Sequence, residues 1–426
     1  MDKPIDAGLK ERAAKVIPNG MYGHESTRIL PDGYPQFFEK GEGAYIWDAD
    51  GNRYLDFMCA YGPNLLGYRD GRVDAAAARQ AALGDTLTGP APVMVELAET
   101  LVSMVDHADW AMFCKNGTDA TSMALMAARA QTGRRTILVA EGAYHGAAAW
   151  CTPLPSGTVA EDRAWQQRYR YNDIESLEAA VAAAGDDLAA IFASPFKHDV
   201  FVDQELPDPA YARRARELCD EKGAMLVIDE VRAGFRTTRD CSWSLVGVKP
   251  DLSCWGKSLG NGQPLSALLG ADSCRQGAGS IYVTGSFWFA AVPMAAALET
   301  MRIIRETDYL EHMVALGDRL RAGLDAAAGE HGFRLRQSGP VQMPLIMFAD
   351  DPDVRFGYAW GQEMLARGVY VHPWHNMFLC AAMTVADIDF ALAAASEAFA
   401  AIAARRAEIQ PSPALLAMAA AQAGQH

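Results

Sequence analysis

A chain of 426 residues is longer than one hydrophobic core usually fills, so two unequal domains are expected. Half of the residues are hydrophobic and 21% charged, which excludes neither a globular enzyme nor a binding module but does exclude a disordered or fibrous chain. The formal net charge of −15 argues against nucleic acid or an anionic membrane surface as the main partner.

The first twenty residues, "MDKPIDAGLKERAAKVIPNG", carry no apolar signal core, and no run of about 18 apolar residues follows, so a cytoplasmic protein is expected. Glu11–Val16 reads as the end of a short amphipathic helix stopped by Pro18 and Gly20. "GAYIWDADGNRYLDF" (Gly43–Phe57) alternates apolar and polar residues around an Asp-Gly turn, the pattern of a hairpin. From Val93 onward helical stretches such as Ala120–Gln131 and Tyr211–Lys222 separate short apolar runs. The runs are Trp110–Phe113, Thr136–Val139, Ala189–Ala193, Met225–Ile228, Leu252–Trp255 and Ala267–Leu269. That alternation predicts an α/β architecture with a mostly parallel sheet covered on both faces. Met294–Arg305 opens a long helical region leading to short strands near Leu345–Phe348 and Val369–Val371, an Ala-rich helix at Ile388–Ala404, and an Ala-rich tail over Ala414–His426 that reads as helical or frayed. The eight cysteines are scattered without a CxxC pair and read as reduced thiols. "HPWH" (His372, His375) lacks nearby Cys or carboxylate ligands, so no metal is expected.

In such a sheet ligands gather at the carboxyl ends of the strands. Those ends carry "CKNGTDAT", "AEGAYHG", "ASPF", "DEVRAGFR" and "WGKSLGNGQP". The run Met225–Ile228 delivers Asp229 and Glu230 to its end, and a buried carboxylate there needs a cation. Lys257 follows another strand and stands among glycines. A lysine amine forms Schiff bases with aldehydes, and a carboxylate on the far side of a pyridine ring keeps the ring nitrogen protonated. The cation awaited by Asp229 is then a pyridinium, and the ligand pyridoxal 5′-phosphate (PLP). Gly117 and Thr118 open a helix where a phosphate could sit; the same residues also make a plain helix start. Tyr144 and Val231 are placed to press on the two ring faces, though each alone reads more often as core.

With these motifs in their order and spacing, the chain resembles the class III aminotransferases of PLP fold type I. That group contains glutamate-1-semialdehyde aminomutase and the ω-amine transaminases. The likeness covers nearly the whole chain and rests most firmly on "LVIDEVRAGFR" and "KPDLSCWGKSLGNGQPLSALLG". It implies a large domain with a seven-stranded, mostly parallel sheet over 61–308, and a smaller α+β domain built from 1–60 and 309–426. It implies Lys257 as Schiff-base lysine and proton carrier, and Asp229 on the ring nitrogen. Tyr144 and Val231 would flank the ring, with Gly117 and Thr118 on the phosphate. It further implies that Ser286, with Thr284 as the alternative, reaches the phosphate in the second subunit of a homodimer whose active sites are shared.

Two departures stand out. Ser194 occupies a position where glutamate is common, and "GSFWFAAVP" replaces a glycine-rich turn. Phe287, Trp288 and Phe289 there read either as interface packing or as an apolar wall for a bulky substrate. A narrower likeness rests on "RAAKVIPNGMYGHESTRILP", "HADWAMFCKNG", "VTGSFWFAAVPMAAALET" and "GVYVHPWHNMFL". It is to members that deaminate hydrolysed fumonisin, a long-chain aminopolyol. It implies transfer of an amino group from a primary amine without an α-carboxylate to pyruvate. The acceptor's carboxylate calls for a cation, and Arg28 and Arg236 are the candidates. Glutamate-1-semialdehyde 2,1-aminomutase is the alternative enzyme, and a non-catalytic PLP-binding module the alternative of another class. A dinucleotide-dependent dehydrogenase is excluded by the lack of GxGxxG after any strand.

Overall fold

The computed structural model describes residues 3–423, so the last three residues of the Ala-rich tail lie outside the described residues. Helix α1 (Pro4–Val16) leads into strands β1 (Phe38–Glu42), β2 (Tyr45–Asp48) and β3 (Arg53–Asp56). The expected hairpin is β2–β3, with Gly51 at φ 82° in its turn. The Asp48 carboxylate accepts from the N–H groups of Asp50 and Asn52 and from the Tyr54 hydroxyl, which fixes the turn from inside.

Helices α2 (Gly71–Ala81) and α3 (Val93–Met104) precede the large sheet. Its strands are β4 (Trp110–Cys114), β5 (Thr136–Ala140), β6 (Gln166–Tyr169), β7 (Leu188–Ala193), β8 (Met225–Asp229), β9 (Leu252–Trp255) and β10 (Ser266–Gly270), in the order β4-β10-β9-β8-β7-β5-β6. Only β10 runs against its neighbours. Strands β5, β7 and β10 are buried at every position, which is why they read as unbroken apolar runs. Strand β6, "QQRY", is the seventh and left no apolar run: it lies on the sheet edge and is half exposed.

Helices α4 (Gly117–Thr132), α5 (Ile174–Ala184) and α6 (Pro209–Lys222) connect these strands. Each starts on a side-chain cap, from Asn116, Asp173 and Asp208. After α7 (Arg275–Ser280), α8 (Ala291–Glu306) and α9 (Tyr309–Glu330) come β11 (Leu335–Ser338), β12 (Leu345–Phe348), α10 (Arg355–Ala366), β13 (Val369–Tyr370), α11 (Val385–Ala404) and α12 (Pro413–Ala423). Strand β13 pairs in parallel with β3, so the two ends of the chain share one sheet. One hydrophobic core accordingly gathers Leu30–Cys59 with Leu316–Leu415, and a second runs from Leu65 to Met313. Among the described residues no helix is long and apolar enough to cross a membrane.

Candidate active site

The register of the large sheet sets the site. Asp229, the last residue of β8, stands opposite Cys254 of β9, and Lys257 follows three residues beyond Cys254 on the same rim. Lys257 is held in the left-handed region at φ 44°, which costs an L-residue about 1–2 kcal/mol. Gly256 before it has no room for a side chain, since a Cβ there would lie 2.6 Å from Ser266 Oγ. This cramped turn sends the lysine across the rim, where Nζ donates to the Tyr61 carbonyl at 2.8 Å. Tyr61 comes from a run of three left-handed residues, Cys59, Ala60 and Tyr61. The buried Asp56 carboxylate braces that run by accepting from Met58 N, Cys59 N and the Tyr68 hydroxyl. Burial lowers the Lys257 pKa to about 7, helped by the positive charges of Arg232 and Arg236. About half of the amine is therefore neutral, and nucleophilic, at pH 7.

Asp229 has a side-chain partner that the sequence reading missed. His145, buried beside Tyr144, places Nδ1 2.7 Å from Asp229 Oδ2, while Val231 N donates to Oδ1 at 3.2 Å. The signal was a histidine directly after a candidate ring-stacking tyrosine, but nothing local shows that it reaches a carboxylate 84 residues away. The neighbouring Glu230 does something else. It accepts from Ser242 N, Ser242 Oγ and Cys241 Sγ, and burial raises its pKa to about 7.

The turn from β4 into α4 supplies the third wall. Asn116 and Asp119 form a reciprocal capping box. Among the described residues no acceptor takes the N–H groups of Gly117 and Thr118, which open a sixteen-residue helix at its positive end. A Cβ at Gly117 would lie 2.7 Å from Val231 Cγ1, so Val231 closes directly over this turn. Thr118 Oγ1 accepts from Ala147 N at 3.0 Å and ties the turn to the Tyr144–Gly146 loop. Tyr144 is exposed at the mouth, and Ser194 is buried with its hydroxyl unpartnered among the described residues.

The remaining expected residues sit further out. Arg28 is exposed on a cleft walled by segments from Lys10 to Gln36, and no residue around Lys257 lines it. From that N-terminal segment it is His24 and Glu25 that reach the site. His24 packs edge-on against the Tyr61 ring at 4.6 Å and pairs with Glu25, whose charge is felt at Lys257. Arg236 is fully buried and donates to the carbonyls of Leu379 and Gly62. Ser286 and Phe287 are exposed on this chain's surface, and Trp288 is partly packed against the large-domain core.

This rim fits PLP. A helix start with two unpartnered N–H groups suits a phosphate, and the cradle at Gly117 is one a side chain would fill. A carboxylate bonded to His145 ends β8 on the same rim as the lysine that follows the neighbouring strand β9. Comparison with known proteins agrees. The sequence profile of the family described as Aminotransferase class-III matches residues 31–399. Aminopentol aminotransferase of Sphingopyxis macrogoltabida is 60% identical over 413 residues, covering 97% of this chain and 98% of that protein. Glutamate-1-semialdehyde 2,1-aminomutase 2 of Halalkalibacterium halodurans is 32% identical, covering 91% and 96%. Among solved structures, the PLP internal aldimine form of the FumI protein of Sphingopyxis sp. MTA144 superposes with a TM-score of 0.96 at 60% identity, covering 96% of this chain and 99% of that one. The chain belongs to the class III aminotransferases, and its cofactor is PLP in a fold type I site.

Proposed function

We propose that the protein transfers the amino group of a primary amine lacking an α-carboxylate, a bulky aminopolyol such as hydrolysed fumonisin among them, to pyruvate, giving a ketone and alanine. The observation that carries the donor class is the 60% identity to aminopentol aminotransferase along almost the entire chain. The aminomutase relatives stand at about half that identity and suggest a reaction without a separate acceptor.

Bound PLP supplies an aldehyde that condenses with amines and a ring that draws electrons from the carbon bearing the nitrogen. The residues of the chain do the rest. Gly117 and Thr118 hold the phosphate through their N–H groups and the Thr118 hydroxyl. Asp229, fixed by His145, keeps the ring nitrogen protonated, and Tyr144 and Val231 confine the ring faces. Lys257 Nζ, about half neutral at pH 7, would take the proton that leaves the amine-bearing carbon and give it back. Ser286 completes the phosphate site from the second copy of a homodimer, and Phe287 and Trp288 line the donor's apolar part. The two cores support a division near residues 60 and 308. The eight free cysteines support a reducing, cytoplasmic setting.

The test is spectroscopic. Adding a long-chain amine to the holoenzyme should bleach the cofactor band, and pyruvate should restore it with stoichiometric alanine. Lys257→Ala should abolish turnover while keeping the fold. Turnover of the amine without any 2-oxo acid, or borohydride labelling of another lysine, would refute the reading.

A further inference from the structure

An aminotransferase that takes a neutral donor and a 2-oxo acid in the same site must recognise a carboxylate in one half-reaction and do without it in the other. The two arginines singled out from the sequence are poorly placed for that. Arg236 is fully buried with both terminal nitrogens donating to backbone carbonyls, and Arg28 lies on a separate cleft.

Arg232 is differently situated. It follows Val231 in the turn leaving β8 and is partly exposed. Its Nη1 donates to the His198 carbonyl at 3.1 Å and to Asn376 Oδ1 at 3.0 Å. Those partners come from the loop after β7 and from the C-terminal region, so the guanidinium is clamped at one corner from two directions. Neither bond uses Nε or Nη2, the pair that forms a fork for a carboxylate. The anchor Asn376 follows His375, whose ring packs on Tyr61 at 5.6 Å, and Tyr61 is the residue whose carbonyl holds Lys257 Nζ, so the guanidinium lies on the lysine's side of the rim and its charge helps lower that amine's pKa. Of the charged or ionisable groups around it the Asp199 carboxylate acts most strongly, ahead of Tyr144 and Asp229. His198 and His375, beside its two anchors, are held neutral by burial and by Arg232 itself, so they add no competing cation. A permanently charged fork, fixed in place beside the reacting amine, is the arrangement that binds a planar anion.

We propose that Arg232 holds the carboxylate of the 2-oxo acid acceptor through its Nε–Nη2 edge, with Asn376 and the His198 carbonyl as the clamp that orients it. The proposal rests on the amine:2-oxo acid reading above. When a neutral donor occupies the site the same edge stays hydrated at the mouth, and the enzyme thereby accepts both substrates in turn.

The holoenzyme carrying Arg232→Gln tests this, with Arg232→Lys as a second variant that keeps the charge and loses the fork. Three measurements separate the explanations: kcat/KM for pyruvate, kcat/KM for butanal as an acceptor of similar size without a carboxylate, and the Kd of propionate, an unreactive carboxylate, read by calorimetry. Losing a charge-assisted pair should lower kcat/KM for pyruvate by about 30- to 100-fold in the Gln variant. Propionate affinity should fall at least about tenfold, while butanal changes by less than about threefold. The Lys variant should lie between. Equal losses for pyruvate and butanal, or unchanged propionate binding, would overturn the assignment. A wild-type enzyme that aminates no 2-oxo acid would overturn the underlying reading and this proposal with it, whereas intact pyruvate selectivity in Arg232→Gln would overturn the proposal alone.

Discussion

Lys257 combines a left-handed backbone, a carbonyl partner and a pKa lowered to about 7. An ordinary lysine near 10.4 is almost wholly charged at neutral pH. The apo-protein should therefore capture PLP with a rate that rises with pH to a midpoint near 7 and then levels off. A midpoint above about 10 in stopped-flow absorbance would mean that burial does not lower this amine. Asp229 is set by a second residue, His145. His145→Ala should leave a carboxylate free to turn away from the ring nitrogen, and Asp229→Asn should remove the charge altogether. Both should act on kcat more than on KM, with a fall of about 10- to 100-fold for His145→Ala and more for Asp229→Asn. A KM effect alone in steady-state kinetics would argue that His145 only packs. That Lys257 and Asp229 end neighbouring strands on one rim was legible because strand ends in an α/β sheet are few. The contacts of His145 and Arg232 were not, because they depend on which distant segments the sheet order brings beside them.

The β4–α4 turn shows how much an element's start depends on a missing side chain. The Gly117 N–H has no acceptor among the described residues, and a Cβ there would meet Val231 Cγ1 at 2.7 Å, well inside normal contact. Gly117→Ala should cost about 1–3 kcal/mol of local strain and raise the PLP dissociation constant about tenfold. In a Val231→Ala background the same substitution should cost far less, because the colliding methyl is gone. Equilibrium dialysis on the four proteins checks this, and additive losses would place the strain elsewhere. The elements themselves were read from periodicity where both faces are buried, as in β5 and β7. Periodicity failed at β6, whose polar edge residues pair with β5 without an apolar signature. It was equally silent on the left-handed run at Cys59–Tyr61, since nothing in "CAYG" marks three consecutive non-glycine residues for φ near 50°.

On the scale of the molecule, the site is assembled from both cores, with Tyr61 delivered by the N-terminal part and Asn376 by the C-terminal part to a rim that belongs to the large sheet. The segment following α7 leaves Tyr282 87% and Phe287 66% exposed in the single chain, with Ser286 exposed beside them. Large aromatics left bare on a sharply acidic protein are what a second copy would cover. If Ser286 donates to the phosphate in that copy's site, Ser286→Ala should raise the PLP dissociation constant about ten- to a hundredfold. PLP should in turn oppose subunit separation, because a ligand held by both chains stabilises the assembly by linkage. Sedimentation over a dilution series, with and without PLP, reads this directly: the dimer should persist to lower concentration when the cofactor is bound, and Ser286→Ala should narrow the difference. Phe287→Ala should weaken the dimer and slow bulky donors more than small ones if the ring serves both the interface and the substrate wall. Equal slowing of all donors would assign the ring to the interface alone. A fully active monomer at high dilution would show that each chain builds its site unaided.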